Sequence, residues 1–321
     1  MATAIRIHAP GGPDALHIDE IPTPTAGPGQ LLVQTAAIGV NYIDTYHRSG
    51  LYPLQLPATL GVEAAGVVTA VGDGVTSFAV GDRVAWAMQS GSYATHVAVN
   101  AGGVIHVPPG IELKLAAAAA LQGMTAHYLA HSIIPLGKGD TALLHAGAGG
   151  VGLLLTQVLR DLGIRVFTTV GSQDKAELSR AAGAEQVFGY DDFVERVREE
   201  TSGAGVSIVF DGVGASTFDA SLDALGVRGT MVLFGASSGP VPPIDPQILN
   251  AKGSLLLGRP SLGHFIADPT ELAWRADEIF TAVAKGSLEV RIGAEFALTD
   301  AADAHRALEG RQTTGKVLLI P

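Results

Sequence analysis

The chain has 321 residues, 47% of them hydrophobic, with 41 glycines, no cysteine and a formal charge of −11. That length accommodates two domains, each with its own core, and the missing cysteines exclude disulfides, thiolate catalysis and cysteine-ligated zinc. The acidic balance argues against nucleic acid or an anionic membrane as the main partner, and a phosphate-bearing ligand would need local cations.

The N-terminus, MATAIRIHAPGG, has no apolar signal region, and no apolar run approaches membrane-spanning length, so a cytoplasmic protein is expected. Up to about Pro109 the chain reads as short strands at 5–8, 16–21, 31–38, 64–71, 83–87, 93–99 and 104–107, joined by Gly/Pro turns. Such spacing suggests a small antiparallel barrel or sandwich. Residues 40–52, VNYIDTYHRSGLY, are too polar and aromatic for a plain strand and read as a short helix and loop.

From Leu113 the character changes. Residues 115–121 are alanine-rich and helical, and QGMTAHYLAH continues them to 131. Strands then follow at 141–146, 165–170, 186–188, 206–210, 230–234 and 254–257, with helices at 151–162, 173–182, 192–200 and 217–225 between them. This alternation predicts a doubly wound parallel six-stranded sheet. After Arg259 it stops. Asp268, Pro269 and Glu271 read as N-cap, first helical residue and acidic third residue of a helix to about Lys285. Thr299 can cap a further helix ending at Gly310, and a strand at 316–320 closes the chain. The simplest assembly returns the tail to the first domain, giving 1–118 as a β-rich catalytic domain, 119–259 as an inserted nucleotide domain and 260–321 as the return.

The stretch with the most specific chemistry is 141–163. A short apolar strand runs into Gly147, Gly149 and Gly152, spaced G-x-G-x-x-G. Val151, Leu154, Leu155, Val158, Leu159 and Leu162 then form one apolar helix face, which Gly163 can end. Strand, glycine turn and helix together read as a dinucleotide site: a Cβ would block the turn, and the helix start offers free N–H groups to a pyrophosphate. In NAD-specific sheets the second strand ends in a carboxylate that holds the ribose 2′-hydroxyl. Here it ends Thr169-Val170-Gly171-Ser172. Ser172 can cap the next helix and meet a 2′-phosphate. Lys175 sits in the first helical turn, where the dipole disfavours a cation unless an anion binds. Asp174 is the counter-evidence. NADPH is expected over NADH, with Tyr190 completing the pocket.

HAGAGGVG (145–152), NYIDTYHRSGLY (41–52), LGVEAAGVV (60–68), QGMTAHYL (122–129), FGASSG (234–239) and RPSL (259–262), taken together, resemble the zinc-independent, zeta-crystallin-like quinone oxidoreductases of the medium-chain dehydrogenase/reductase superfamily. The resemblance runs the length of the chain. It implies a GroES-like catalytic domain, a Rossmann domain, NADPH, a homodimer and an active-site cleft between the domains. It places Asn41 and Tyr46 along the nicotinamide with Asp44 and Tyr52 nearby, and Thr125 on the cofactor. Gly149, Gly150 and Val151 would cradle the pyrophosphate; Gly171, Ser172, Lys175 and Tyr190 would form the 2′-phosphate pocket. Phe234, Gly235 and Ser237 would flank the nicotinamide ribose, and Arg311 would close on the cofactor. Ala236 departs from the Asn that relatives often carry, which removes one side-chain hydrogen bond.

Zinc-dependent relatives place a cysteine near position 41 and a histidine near 62; this chain has Asn41 and Val62. His127 and His131 have metal-ligand spacing on a helix but neither a third ligand in the sequence pattern nor a general-base glutamate between them, so they read as helix-surface or core histidines. Without a Lewis acid, the acceptors that fit are those whose reduced product is itself a stabilised anion or radical, namely quinones and, through an enolate, enones. Asn41, Tyr46 and Tyr52 can donate hydrogen bonds to the acceptor oxygen. Quinone reduction is the expected activity. The alternatives are an enone or enoyl C=C reductase on the same fold, and a non-enzymatic crystallin-like or RNA-binding protein.

Overall fold

A computed structural model describes residues 1–321, and the chain divides into two compact units, Met1–Met124 with Phe265–Pro321, and Thr125–His264. The first part of the chain forms β1 (Ala2–Ile7), β2 (His17–Ile21), β3 (Gln30–Val40), α1 (Tyr42–Ser49), β4 (Ala58–Thr59), β5 (Glu63–Val71), β6 (Arg83–Ala87), β7 (His96–Asn100), β8 (Val104–His106) and α2 (Leu113–His131). The second unit contributes β9 (Thr141–Leu144), α3 (Gly150–Asp161), β10 (Arg165–Thr169), α4 (Gln173–Ala182), β11 (Gln186–Phe188), α5 (Phe193–Glu200), β12 (Val206–Asp211), α6 (Phe218–Ala224), β13 (Leu225–Leu233), α7 (Gln247–Ala251) and β14 (Leu256–Gly258). After α8 (Leu262–Phe265), the tail adds α9 (Pro269–Lys285), β15 (Ile292–Ala297), α10 (Ala301–Glu309) and β16 (Lys316–Ile320).

In the first unit a three-stranded sheet, β2-β1-β4, accompanies a seven-stranded sheet ordered β15-β16-β3-β5-β6-β8, with β7 also on β3. β16 pairs antiparallel with β3, Leu318 opposite Gly39, so the last residues of the chain lie beside the strand that leads into α1. Inward-facing side chains alternate along the strands, as period two requires. Ile5, Leu31, Ile38, Leu60, Trp86, Tyr93, Val317 and Leu319 share one buried cluster.

The second unit is a six-stranded parallel sheet ordered β11-β10-β9-β12-β13-β14. Strand order reverses between β9 and β12, and in such sheets ligands bind beyond the carboxyl ends of the strands at that reversal. Leu143, Phe167, Val209, Met231, Phe218 and Leu222 close one side of the sheet.

Several boundaries differ from the sequence expectation. Tyr93 precedes β7 instead of lying in it, and β13 begins at Leu225, running past Arg228 at φ 63°. Asp300, not Thr299, is the N-cap of α10, because Leu298–Asp300 forms a 3-10 turn. The sequence pattern gives no sign of β15, which pairs parallel with β16. By contrast, α9 is capped as read: Asp268 accepts the N–H groups of Thr270 and Glu271, and Pro269 is its first residue.

Candidate active site

The glycine turn sits at the carboxyl end of β9. A Cβ on Gly147 would fall 2.6 Å from Thr168 Cβ and 2.7 Å from Ser179 Oγ, and one on Gly152 would press against the Ala146 carbonyl and the Gly147 backbone. These two glycines are therefore required by the close approach of β10, α4 and the turn itself. Gly149 is the N-cap of α3 and brings no side-chain acceptor. The first N–H groups of α3, on Gly150, Val151 and Gly152, have no intrahelical partner and carry the positive end of the helix dipole, which suits a pyrophosphate.

The next turn forms the corner where the sequence places the 2′-phosphate of the adenosine. Ser172 caps α4, its Oγ accepting the Lys175 N–H at 3.4 Å. Gly171, Ser172, Ala176, Arg180, Tyr190 and Asp191 line one cleft of about 400 Å³. Three of the four residues expected at the 2′-phosphate thus share one wall, with Lys175 beside them in the first turn of α4. No carboxylate ends β10. The Tyr190 hydroxyl accepts the Ala146 N–H at 3.2 Å, tying the β11 exit to the glycine turn. Arg180, on the same helix face as Ala176, is an addition to the expected set; its i+4 spacing from Ala176 is the signal that could have found it.

Beneath the turn lies a buried polar network. His145 meets Thr169 Oγ1 and Ser221 Oγ, each at 2.8 Å, and burial pushes its pKa down to about 4. Asp211 Oδ1 accepts the N–H groups of Val213 and Gly214, and its Oδ2 accepts the Thr217 hydroxyl. The loops after β12 and β13 pack tightly: Phe234 donates its N–H to Asp211 O and Ser237 to Gly212 O. A Cβ on Gly235 would come within 2.5 Å of the Gly212 carbonyl. Phe234, Gly235 and Ser237 are thereby fixed at the carboxyl ends of adjacent central strands.

In the first unit, β3 leads directly into α1, and Asn41 is the N-cap. Its side chain is turned inward. Asn41 Nδ2 donates to Glu63 Oε2 at 2.9 Å and to Gly39 O at 3.3 Å, while Oδ1 accepts Lys316 Nζ at 2.8 Å. Lys316 also pairs with Glu63, and Glu63 Oε1 accepts the Leu121 N–H of α2 at 2.5 Å. The amide of Asn41 is committed to the protein, which leaves Tyr46 and Tyr52 as the other two residues of this segment that the sequence expects to meet an acceptor. Those two rings meet edge-on at 5.4 Å, and Tyr52 N–H bonds Tyr46 O.

Asp44 completes a capping box: its Oδ2 accepts the Asn41 N–H at 2.8 Å and the Tyr93 hydroxyl at 3.0 Å. Its Oδ1 is buried with no partner. Burial raises the Asp44 pKa to about 7, against the lowering effect of its hydrogen bonds and of Lys316. Behind Tyr93 stands His305, and behind that Arg48. Arginine only donates, so His305 Nδ1 accepts from Arg48 at 2.9 Å, and Nε2–H donates to Tyr93 at 3.0 Å. Burial, and then Arg48, pushes His305 down to about 3. Arg48 ends the relay in a forked pair with Glu309. Tyr93, His305 and Lys316 carry no local sequence signal, and Glu63 lies in the quoted LGVEAAGVV motif without a role read for it.

Of the remaining expected residues, Thr125 is buried within α2, and Arg311 is exposed in the turn after α10, at φ 56°. His127 and His131 lie one turn apart on α2 with ring centroids 4.6 Å apart.

Residues 27–109 match the alcohol dehydrogenase GroES-like domain family, and residues 150–276 match the zinc-binding dehydrogenase family. The quinone oxidoreductase of Escherichia coli, solved with NADPH, is 42% identical with a TM-score of 0.98, covering 99% of this chain and 100% of that one. A mycobacterial protein, also solved with NADPH, is 51% identical with a TM-score of 0.97, over 99% of this chain and 100% of the other. A 2-haloacrylate reductase from Burkholderia is 40% identical over 100% of this chain and 99% of its own. Zinc does not fit at the two positions where zinc-dependent relatives hold it. Position 41 offers an amide and position 62 a valine, and the amide oxygen already faces the ammonium of Lys316, a like charge to any metal ion.

Proposed function

Because the chain belongs to the quinone oxidoreductases of the medium-chain dehydrogenase/reductase superfamily, we propose that it oxidises NADPH and reduces small quinones. The observation that carries the cofactor choice is the carboxylate-free end of β10, where Gly171, Ser172 and Tyr190 line a cleft with room for a 2′-phosphate. Bound there, the coenzyme supplies the reducing equivalents. The α3 N-terminus holds the pyrophosphate through Gly149, Gly150 and Val151, and Lys175 neutralises the 2′-phosphate. Phe234, Gly235 and Ser237 support the nicotinamide ribose, with Thr125 and Arg311 as further contacts.

In the first unit, Tyr46 and Tyr52 orient the acceptor by donating to its oxygen. Asn41 and Asp44 hold the start of α1, on which Tyr46 rides. A quinone suits this equipment, because charge arriving on it spreads over the ring and asks only for hydrogen-bond donors and exclusion of water. Likeness to the 2-haloacrylate reductase favours one competing reading, reduction of an activated C=C bond.

Purified protein with NADPH and an ortho- or naphthoquinone should oxidise the coenzyme with saturation kinetics. Turnover of enones with no quinone in the panel would replace the first reading by the second. No turnover with either would return the protein to a non-enzymatic, nucleotide-binding class.

No helix is long and apolar enough to cross a membrane, and a cytoplasmic setting remains the expectation. A homodimer is supported by β14, which is an edge strand of its sheet and exposes Leu256 and Leu257. An open edge with apolar side chains is a surface that a second copy can cover.

A further inference from the structure

We propose that Lys316 is a positioning residue of the active site. Its buried ammonium, held by Glu63, fixes the side-chain amide of Asn41 and through it the start of α1. This rests on the reading that α1 carries the acceptor-binding donors.

Lys316 opens β16, near the end of the chain, and both it and Glu63 are 0% exposed. Taking two charges out of water costs several kcal/mol per ion, and a well-packed apolar pair often holds a fold as well or better. Stability alone therefore does not account for them. What the charges add is direction. An ammonium can only donate and a carboxylate can only accept, whereas an amide has two ends of similar shape. With Lys316 on one side and Glu63 on the other, only one orientation of Asn41 satisfies both: Oδ1 to Lys316 at 2.8 Å and Nδ2 to Glu63 at 2.9 Å. The surroundings leave no slack. A Cβ on Gly39 would lie 2.7 Å from Lys316 Nζ and still closer to Glu63. Glu63 is itself anchored by the Leu121 N–H of α2. The pair thus joins β3, β5, β16 and α2 at the residue that caps α1. Asn41 passes the constraint on through its backbone N–H, which Asp44 accepts at 2.8 Å.

The test compares three variants with the wild type. Lys316→Met alone strands the Glu63 charge and should unfold easily. Lys316→Met with Glu63→Gln removes both charges together and should keep the wild-type melting temperature within a few degrees. In that double variant the Leu121 N–H holds the oxygen of the new amide, so its NH2 group faces Asn41 Nδ2, donor against donor, and Asn41 loses the arrangement that held it. We expect kcat for the quinone to fall roughly ten- to hundred-fold, the cost of a misplaced catalytic group, with KM for NADPH little changed. The Asn41 side-chain amide protons, followed by NMR on selectively labelled protein, should be protected from exchange in the wild type and exposed in the double variant. Rapid exchange of those protons in the wild type overturns the proposal, and so does a double variant with wild-type kcat. Asn41→Ala separates the two readings. If it leaves kcat unchanged, the assignment of α1 to the active site falls, and this inference with it. If Asn41→Ala lowers kcat and the double variant does not, only the role of Lys316 is lost.

Discussion

Tyr93 gives its phenolic proton to Asp44 Oδ2 across 3.0 Å, and the direction is fixed from behind by His305, whose Nε2–H donates to the same hydroxyl. From Arg48 through His305 and Tyr93, the donors run in one direction toward this buried carboxyl. Even so, burial outweighs the hydrogen bonds and leaves Asp44 with a pKa of about 7, as its unpartnered Oδ1 leads one to expect.

The consequence for stability has a definite sign. The folded-state pKa of Asp44 is raised above its ordinary value of 3.8, so the folded chain binds this proton more tightly than the unfolded one. Stability from this group is fully present below the ordinary value and is lost as pH rises through about 7. Asp44→Asn cannot titrate. Its unfolding free energy relative to wild type should therefore increase between about pH 5 and about pH 8, by an amount on the order of a kcal/mol or more. A urea-melt difference that stays flat over that range contradicts the raised pKa.

The two buried histidines act in the opposite sense. His145 and His305 are held down to about 4 and about 3, so each contributes stability that is present above the ordinary 6.5 and is lost as pH falls through the folded value. Acidification from about pH 6.5 to about pH 4 should destabilise the wild type through these groups, against the gain at Asp44. His145→Gln should show a shallower acid loss than wild type, even if its stability at neutral pH is lower. An unchanged acid slope would mean that His145 is charged in the folded chain.

How much of this is legible in the sequence depends on range. The turn from Gly147 to Gly152, the cap at Ser172 and the start of α9 at Asp268 are set by neighbours a few residues away, and sequence spacing reveals them. The Lys316–Glu63–Asn41 cluster joins residues 22 to 275 positions apart, and nothing in KVLLIP marks its lysine as buried. β15 escapes notice because Gly293, Glu295 and Ala297 alternate with Ile292, Ala294 and Phe296, a pattern diluted by small residues. The NYIDTYHRSGLY motif marks Asn41 as a site residue, with its amide expected to face the acceptor. Only the long-range ammonium and carboxylate explain why it faces inward.

The adenosine corner makes a prediction separate from chemistry. Lys175 stands in the first turn of α4, beside the Ser172 cap, where the helix dipole disfavours a cation and a bound anion would offset that cost. Lys175→Ala should weaken NADPH by roughly ten- to hundred-fold, the worth of one charge-assisted hydrogen bond, and leave NADH almost unaffected. Calorimetric titration with adenosine 2′,5′-bisphosphate against 5′-AMP reads the same difference without turnover. Equal losses for both ligands would remove the 2′-phosphate role.

Gly147 tests the turn itself. An added Cβ meets Thr168 and Ser179 in side-chain contact, not open space, so Gly147→Ala must push β10 and α4 away from the turn. Overpacking of this kind costs about 1–3 kcal/mol. The variant should melt lower and bind NADPH more weakly, because the displaced N–H groups of α3 no longer converge. Gly171→Ala is the control, since its Cβ would meet nothing within 4 Å. It should keep the wild-type melting temperature, so that any loss of affinity it shows comes from crowding the ligand.

The exposed edge of the parallel sheet gives the last prediction. β14 hydrogen-bonds only to β13, and Leu256 is 59% exposed on it, with Leu257 and Val227 also exposed on the same pair of strands. A monomer would leave this apolar edge in water beside unpaired backbone groups, the arrangement that folded proteins otherwise blunt with charge or cover with a partner. Leu256→Lys places a charge on that edge without entering the core. If a second copy covers β14, wild-type protein should run as a dimer by light scattering, with a melting temperature that rises with concentration, and the variant should shift toward monomer and lose that dependence. A wild type that stays monomeric at high concentration would show that the edge is left open, and the homodimer would have to be given up.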